Sequence, residues 1–269
     1  MKIGYFGDPG AYSNIAATHM AQGEFVPLDS VRSVFNSLQS GDIGLGVVPI
    51  ENSIEGAVNQ TYDFLFKMDA YIIKEYYLRI NHCLIGFPDA SLKEIKYVHS
   101  HPQALAQCSD YLYSHGMKPV SEYDTAGSVK IIKEQETKNH AAIASEIAAK
   151  LNQMEILERD IENNKYNYTR FFLLSREPSK LELPSKTSLV FSTENKPGSL
   201  FKILKIFDQY KINMTKIESR PVQYNPFTYL FFIDIENNEN SEIAIKEIEG
   251  ITSPFKVLGN YKIASITKN

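Results

Sequence analysis

Residues 167–186 read NYTRFFLLSREPSKLELPSK, and two patterns of secondary structure meet in this stretch. Phe171 to Leu174 form the apolar run of a buried strand. The head of that strand carries Thr169 and Arg170, two polar side chains that a strand filling only a core does not need. They sit either at a solvated strand end or in a cleft, where they do chemistry. From Ser175 to Lys186 the chain has two prolines and mixed charge, the composition of a linker.

Upstream of this point strands and helices alternate. KIGYF (residues 2–6) is a short strand, followed by an amphipathic helix over 11–20. Val31, Val34, Phe35 and Leu38 recur at helical spacing behind Ser30, a suitable N-cap. A buried strand is expected at 43–49, a helix at 57–66 and a strand rich in aromatics and Ile at 71–78. A second group follows, with strands at 95–98, 119–121 and 141–144 and helices at 102–113 and 128–134. An Ala-rich helix then runs through Leu151, and NYTRFFLLS returns as the last strand. This is a doubly wound α/β pattern. Downstream the order changes to TSLVFST (strand), PGSLFKILKIFDQY (helix) and NMTKIESRPV (strand). A Tyr-Asn-Pro turn at 224–226 leads into FTYLFFIDIE (strand), then SEIAIKEIEG (helix) and PFKVLGNYKIAS (strand). The order β-α-β-β-α-β in about eighty residues is ferredoxin-like.

The composition bounds the function. With 269 residues, 43% hydrophobic and 22% charged, the chain is long enough for two domains and too apolar for extended disorder. A net charge of -4 and no basic stripe argue against nucleic acid as a partner. Cys83 and Cys108 stand in apolar surroundings at no metal-ligand spacing, which is expected of reduced core thiols. MKIGYFGDPG has one Lys and no apolar core, so no secretory leader is expected, and no apolar run reaches membrane-spanning length. A cytoplasmic protein is the expectation.

Four polar segments each follow a predicted strand and open a helix: GDPGAYS (7–13), PIENSIEG (49–56), SHPQ (100–103) and DTAGS (124–128). The C-terminal edge of a parallel sheet is where α/β proteins bind ligands, and helix N-termini there favour anions. Capping alone would explain each segment singly. Ser100 as N-cap with Gln103 reaching back makes a capping box, and Asp124 or Thr125 suits a cap. Gly4, Gly7 and Gly10 lack the GxGxxG spacing of a dinucleotide loop, and Pro9 removes an N–H that a pyrophosphate would use. The six histidines show no metal spacing, and no GxSxG elbow occurs. Asn52 in PIENS stands out, because an amide that both donates and accepts can orient a hydroxyl or a carboxylate.

Taken in order, PIENSIEG, SHPQALAQC, DTAGS and NYTRF resemble prephenate dehydratase. PGSL and NMTKIESRP in the β-α-β-β-α-β unit resemble the regulatory ACT domain of that family. The resemblance spans essentially the whole chain, without the extra helical domain of fusions with chorismate mutase. It implies a two-lobed, periplasmic-binding-protein-like α/β catalytic domain followed by a ferredoxin-like α+β ACT domain. The catalytic domain would cover 1–176, with lobe 1 at about 1–77 plus 167–176 and lobe 2 at about 78–166. The linker would be 177–186 and the ACT domain 187–269. The implied reaction is a cofactor-free, metal-free decarboxylative dehydration of prephenate to phenylpyruvate on the route to phenylalanine.

The resemblance also assigns residues. Thr169 would donate to the departing hydroxyl and Phe171 would pack the wall. Arg170 would either grip a carboxylate with its fork or brace the strand. Asn52, Ser53, Ser100, Gln107 and Thr125 would line the cleft, with Gln107 a turn and a half into its helix and less able to reach than Ser100. Gly198, Ser199, Leu200, Asn213, Met214, Glu218 and Ser219 would bind L-phenylalanine where ACT domains meet in a homodimer or homotetramer, giving feedback inhibition. Ser199 replaces the family's usual Ala. ESRP (218–221) read alone is an edge strand whose Pro limits further pairing. Two alternatives stay open: an arogenate dehydratase, and a non-catalytic amino-acid sensor.

Overall fold

The chain begins with β1 (Lys2–Phe6), α1 (Tyr12–Met20), β2 (Glu24–Leu28), α2 (Val31–Ser40), β3 (Leu45–Asn52), the two-residue β4 (Gly56–Ala57), α3 (Asn59–Lys67) and β5 (Tyr71–Arg79). It then builds a second group: β6 (Cys83–Gly86), β7 (Tyr97–Ser100), α4 (Pro102–Gln107), α5 (Ser109–Ser114), β8 (Lys118–Ser121), α6 (Thr125–Gln135), β9 (His140–Ala144), α7 (Glu146–Asn152) and β10 (Glu155–Glu158). β11 (Tyr168–Ser175) returns to the first group. β12 (Lys186–Ser192), α8 (Ser199–Gln209), β13 (Met214–Pro221), β14 (Tyr229–Glu236), α9 (Ser241–Ile251) and β15 (Phe255–Tyr261) complete the chain. This computed structural model describes residues 1–222 and 228–266, so the turn expected at 224–226 lies outside the described residues.

The second group forms its own five-stranded sheet, in the order β10-β6-β9-β7-β8. The first group and the C-terminal unit share one sheet, β13-β14-β12-β15-β5-β11-β3-β1-β2, with β4 beside β3. β11 lies between β3 and β5 and is antiparallel to both. The returning strand is thus buried in the middle of the sheet, which accounts for its Phe-Phe-Leu-Leu run.

The join between β15 and β5 is a single parallel pair, Gly259 opposite Ile72. A Cβ at residue 259 would stand 2.2 Å from the Ile72 carbonyl oxygen, so only glycine permits this approach. Behind the join one apolar cluster unites Phe35 and Leu38 of α2, Phe172 and Leu174 of β11, and Val190, Phe232, Leu258 and Tyr261 of the C-terminal unit. The C-terminal unit is therefore packed onto the first group as well as linked to it in sequence. Among the described residues no helix is long and apolar enough to cross a membrane.

Several elements depart from the sequence reading. β2, β6 and β10 stand where the sequence reading places no strand. β6 is a short buried strand between β10 and β9, whereas β2 and β10 are edge strands, and EFVPL carries Pro27, which an edge tolerates and a central strand does not. The helix expected at 102–113 breaks at Cys108 into α4 and α5. The N-cap of α4 is His101, whose side chain accepts from the Gln103 N–H; Ser100 is the last residue of β7 and cannot be the cap. Asp124 caps α6 by accepting from the N–H groups of Ala126 and Gly127, so that helix starts at Thr125 and not at Ser128. Residues 56 and 57 pair with β3, which delays α3 to Asn59.

Candidate active site

Strand alternation sets the site. In the antiparallel pairing of β11 with β3, Thr169 lies opposite Asn52 and Arg170 lies opposite Glu51. Successive side chains of a strand point to opposite faces. Thr169 and Asn52 therefore share one face, and Arg170 and Glu51 share the other.

On the first face, the Asn52 side-chain oxygen accepts from the Ile54 and Glu55 N–H groups, both at 3.0 Å, which fixes the amide. Its Nδ2 donates to Asn167 Oδ1 at 2.7 Å and to Thr169 Oγ1 at 3.0 Å. A hydroxyl that accepts from an amide keeps its own hydrogen for another acceptor. Thr169, half-buried, is thus set as a donor. Asn167 passes the chain on, its Nδ2 donating to Gln107 Oε1 at 3.0 Å. The same Gln107 oxygen lies 3.0 Å from His82 Nε2, and His82 Nδ1 lies 3.0 Å from the Tyr12 hydroxyl. An oxygen that can only accept puts an imidazole proton on Nε2, while the Tyr12 hydroxyl has one hydrogen for two acceptors, the Asn81 carbonyl at 2.7 Å and His82 Nδ1. Burial pushes His82 below its ordinary value, against a smaller opposing effect of the Gln107 bond and Glu162, so the ring is held neutral. Burial pushes the Tyr12 phenol well above its ordinary value, keeping its proton on.

Thr169, Asn52, His82, Gln107, Thr125 and Tyr12 are among the residues lining a small cavity of about 120 Å³. Tyr12, His101, Gln103 and Thr125 also line a cavity of about 510 Å³ whose walls include Pro49 and Phe171. The larger cavity takes the first residues of α1, α4 and α6, so three helix N-termini from both sheets face it. They are not equivalent. His101 caps α4 and the Asp124 carboxylate caps α6, whereas the Ala11 cap of α1 offers no side-chain acceptor. The positive end of α1 is the one left for a ligand anion.

Of the eight candidate catalytic residues, the structure brings Asn52, Gln107, Thr125, Thr169 and Phe171 to these cavities. It places the other three elsewhere. Ser100 is fully buried and donates to the Ile143 carbonyl at 2.7 Å, so it ties β7 to β9; the expectation that it out-reaches Gln107 is reversed. Ser53 donates to the Tyr166 carbonyl and accepts from the Tyr168 N–H, stitching the crossover to β3. Arg170 points away from the cleft. Its Nε donates to Glu75 Oε2 at 2.8 Å, its Nη1 to Asp234 Oδ2 at 2.6 Å and its Nη2 to the Tyr261 hydroxyl at 3.1 Å. Burial works against its charge, but Asp234 and Glu75 outweigh that and keep the guanidinium protonated. The carboxylate-gripping role for Arg170 is thereby removed and the bracing role remains.

The sequence reading passed over Tyr12, His82, His101, Gln103 and Asn167. Four of these stand inside the quoted segments GDPGAYS, SHPQ and NYTRF, so position was their signal. His82 had none. The seven candidates in the C-terminal unit fall at two places: Gly198 to Leu200 open α8, and the rest lie along the entry and body of β13. Leu200 and Met214 pack against one apolar cluster.

A family model described as prephenate dehydratase matches residues 3–179, and one described as the ACT domain matches residues 187–252. A prephenate dehydratase of Methanocaldococcus jannaschii is 42% identical over 240 residues, covering 87% of this chain and 86% of that protein. The chloroplastic arogenate dehydratase/prephenate dehydratase 2 of Arabidopsis thaliana is 37% identical over 281 residues, covering 98% of this chain and 73% of the relative. Among solved structures, prephenate dehydratase of Arthrobacter aurescens in complex with L-Phe has a TM-score of 0.90 at 27% identity, over 99% of this chain and 93% of that one. GqqA, described as a novel type of quorum quenching acylase, has a TM-score of 0.90 at 32% identity over 98% of both chains.

Proposed function

The chain belongs to the prephenate dehydratase family and carries a C-terminal ACT domain, and we propose that it converts prephenate to phenylpyruvate, carbon dioxide and water in the cleft between its two sheets. The observation that carries this reading is the Thr169 hydroxyl, held by Asn52 with its hydrogen free for the cavity.

The reaction needs little from the protein. The electron pair of the bond to the ring carboxylate moves into the ring as carbon dioxide leaves. The ring aromatises, and the bond to the ring hydroxyl breaks. That oxygen takes up one proton and departs as water. Thr169 donates to the departing oxygen, where negative charge develops. Thr is too weak an acid to supply the proton itself, so its role is that of a fixed donor. Phe171 and Pro49 give a dry wall that favours loss of a carboxylate as neutral carbon dioxide. The pyruvyl carboxylate is anchored at the first turn of α1, the end without a side-chain cap. No step requires a metal or an organic cofactor.

On this reading residues 1–176 are the catalytic domain, with lobe 1 at 1–77 plus 167–176 and lobe 2 at 78–166. Residues 177–186 are the linker and 187–269 the ACT domain. The separate five-stranded sheet supports the division into two lobes, and the change of element order after β11 supports that between catalytic and ACT domains. L-Phenylalanine binds the ACT domain through Gly198, Ser199, Leu200, Asn213, Met214, Glu218 and Ser219 and inhibits by favouring a less active arrangement. The L-Phe in the Arthrobacter relative supports this ligand. ACT–ACT contacts join the chains into a homodimer or homotetramer. The exposed Phe201, Ile217 and Tyr229 supply apolar surface for them.

A cleft used only for sensing would have no need of the oriented Thr169–Asn52 pair. An amide-hydrolysing activity, suggested by the acylase relative, gains no support from the buried serines near the cleft. Ser13 and Ser100 both give their hydroxyl protons to backbone carbonyls, of Phe6 and Ile143. Arogenate differs from prephenate only in carrying an amino group where the side-chain ketone stands. Incubating the purified protein with each compound, and following phenylpyruvate and phenylalanine, tests the activity and the preference together. No product from either would refute it.

A further inference from the structure

The two residues that carry the cleft chemistry, Asn52 and Thr169, have chain neighbours that face the C-terminal unit. Glu51 Oε1 lies 3.0 Å from Lys216 Nζ on β13, and Arg170 Nη1 lies 2.6 Å from Asp234 on β14. Glu51 and Arg170 are paired across β3 and β11 in the same register that pairs Asn52 with Thr169. Each outward side chain thus stands one peptide unit from an inward one. These contacts are not surface ion pairs. Arg170 and Asp234 are 4% and 5% exposed; in the second pair the side chain of Lys216 is 13% exposed and that of Glu51, at its rim, 35%. The cluster is extended by Glu75, held by Arg170 and by Lys186 at 3.0 Å.

β13 alternates between half-buried and exposed residues; its face toward the first lobe carries Lys216, Glu218 and Arg220, while a register irregularity after Met214 leaves that side chain on the helix side of the sheet. Lys216 reaches Glu51, and Arg220 reaches Asp63 on α3 at 3.2 Å. Glu218, one of the candidate phenylalanine-binding residues, stands between these two, 3.8 Å from Lys216 Nζ. An edge strand of the regulatory unit thus rests on the first lobe by charged contacts at the strand that would hold the ligand.

We propose that Lys216–Glu51 and Asp234–Arg170 form a two-point clamp by which the C-terminal unit positions the Asn52–Thr169 pair, and through which occupancy of the C-terminal unit changes turnover. Glu51 and Arg170 are positioning residues, since neither lines the cleft cavities around Thr169 and Phe171. The regulatory half of the proposal rests on the reading of L-phenylalanine as ligand; the positioning half does not.

The test uses the full chain and three variants, Lys216→Met, Lys216→Arg and Asp234→Asn. Four quantities are read: kcat and KM for prephenate, the Kd of L-phenylalanine by calorimetry, and the ratio of kcat without and with saturating phenylalanine. Small misplacements of a catalytic group cost up to about a hundredfold, and couplings between sites are worth about five- to 150-fold. Lys216→Met is expected to lower kcat about tenfold, with KM and the phenylalanine Kd each within about threefold of wild type, and to bring the kcat ratio close to one. Lys216→Arg is expected to keep all four near wild type. Asp234→Asn should act in the same direction as Lys216→Met, and circular dichroism selects the variants that fold.

Wild-type kcat and wild-type response in Lys216→Met would overturn the proposal. So would loss of phenylalanine binding in that variant, which would make Lys216 part of the ligand site. If the wild-type protein itself binds no phenylalanine, the regulatory reading fails, and the kcat of Lys216→Met alone decides the positioning role.

Discussion

Replacing Arg170 with Met tests how much of the molecule hangs on the junction between the catalytic strand and the C-terminal unit. The guanidinium is 4% exposed and makes short contacts with two carboxylates, 2.6 Å to Glu75 and 2.6 Å to Asp234. Met fills much of the same volume but supplies no donor. Glu75 would keep Lys186 and the Ala264 N–H, so its loss is partial. Asp234 would keep the Ser188 hydroxyl and be a nearly uncompensated buried charge. Breaking a buried pair from one side costs about 3–5 kcal/mol. At about 2 °C per kcal/mol, the low end of the range for large domains and the one suited to 269 residues, the melting midpoint should fall by roughly 10 °C. Urea unfolding followed by circular dichroism gives the loss independently, as a lower midpoint at an unchanged slope. The double variant Arg170→Met with Asp234→Leu should recover part of the loss, because it removes the stranded carboxylate. A single variant within about 1 kcal/mol of wild type, or a double variant whose loss equals the sum of the singles, would refute the reasoning.

Asn52→Ala removes the amide that orients Thr169 and caps the turn at Ile54 and Glu55; kcat for prephenate should fall by about ten- to a hundredfold at a nearly unchanged KM, in steady-state assays. Gly259→Ala drives a Cβ to 2.2 Å from the Ile72 carbonyl and should part β15 from β5, read as a lowered melting midpoint and faster hydrogen exchange at residues 71–73. His82 is pushed below its ordinary value by burial, so the unfolded chain binds the proton more readily than the folded one. Its contribution to stability should be complete above about pH 6.5 and should be lost as the pH falls below that value; His82→Gln should flatten this part of the stability profile.

The halves of the fold were legible because each follows from periodicity. The apolar run of Phe171 to Leu174 marks a strand buried on both faces, and the β-α-β-β-α-β order of residues 187–265 follows from alternation and helical spacing. Edge strands were less so: EFVPL at 24–28 is half-exposed and broken by a Pro, and it offers neither an apolar run nor clean alternation. Thr169 and Asn52 could be picked out because polar residues interrupt a buried strand only at a cost. Ser100 shows the limit of that inference. Its hydroxyl is satisfied by a carbonyl of the neighbouring strand, a partner 43 residues away that sequence spacing does not reveal. Arg170 is a similar case, since Asp234 and Tyr261 come from the other end of the chain. His82 belongs to no motif and reaches the site only because the crossover after β5 brings it beside Gln107.

The turnover of Thr169→Ala and Thr169→Ser on prephenate, measured as phenylpyruvate formed by the purified full chain, tests the central claim most directly. Loss of a key donor lowers kcat by about a hundredfold or more, so Thr169→Ala should fall at least that far, while Thr169→Ser, which keeps the hydroxyl, should stay within about tenfold of wild type. A Thr169→Ala variant that folds as wild type and turns over prephenate at a near-normal rate would contradict the account.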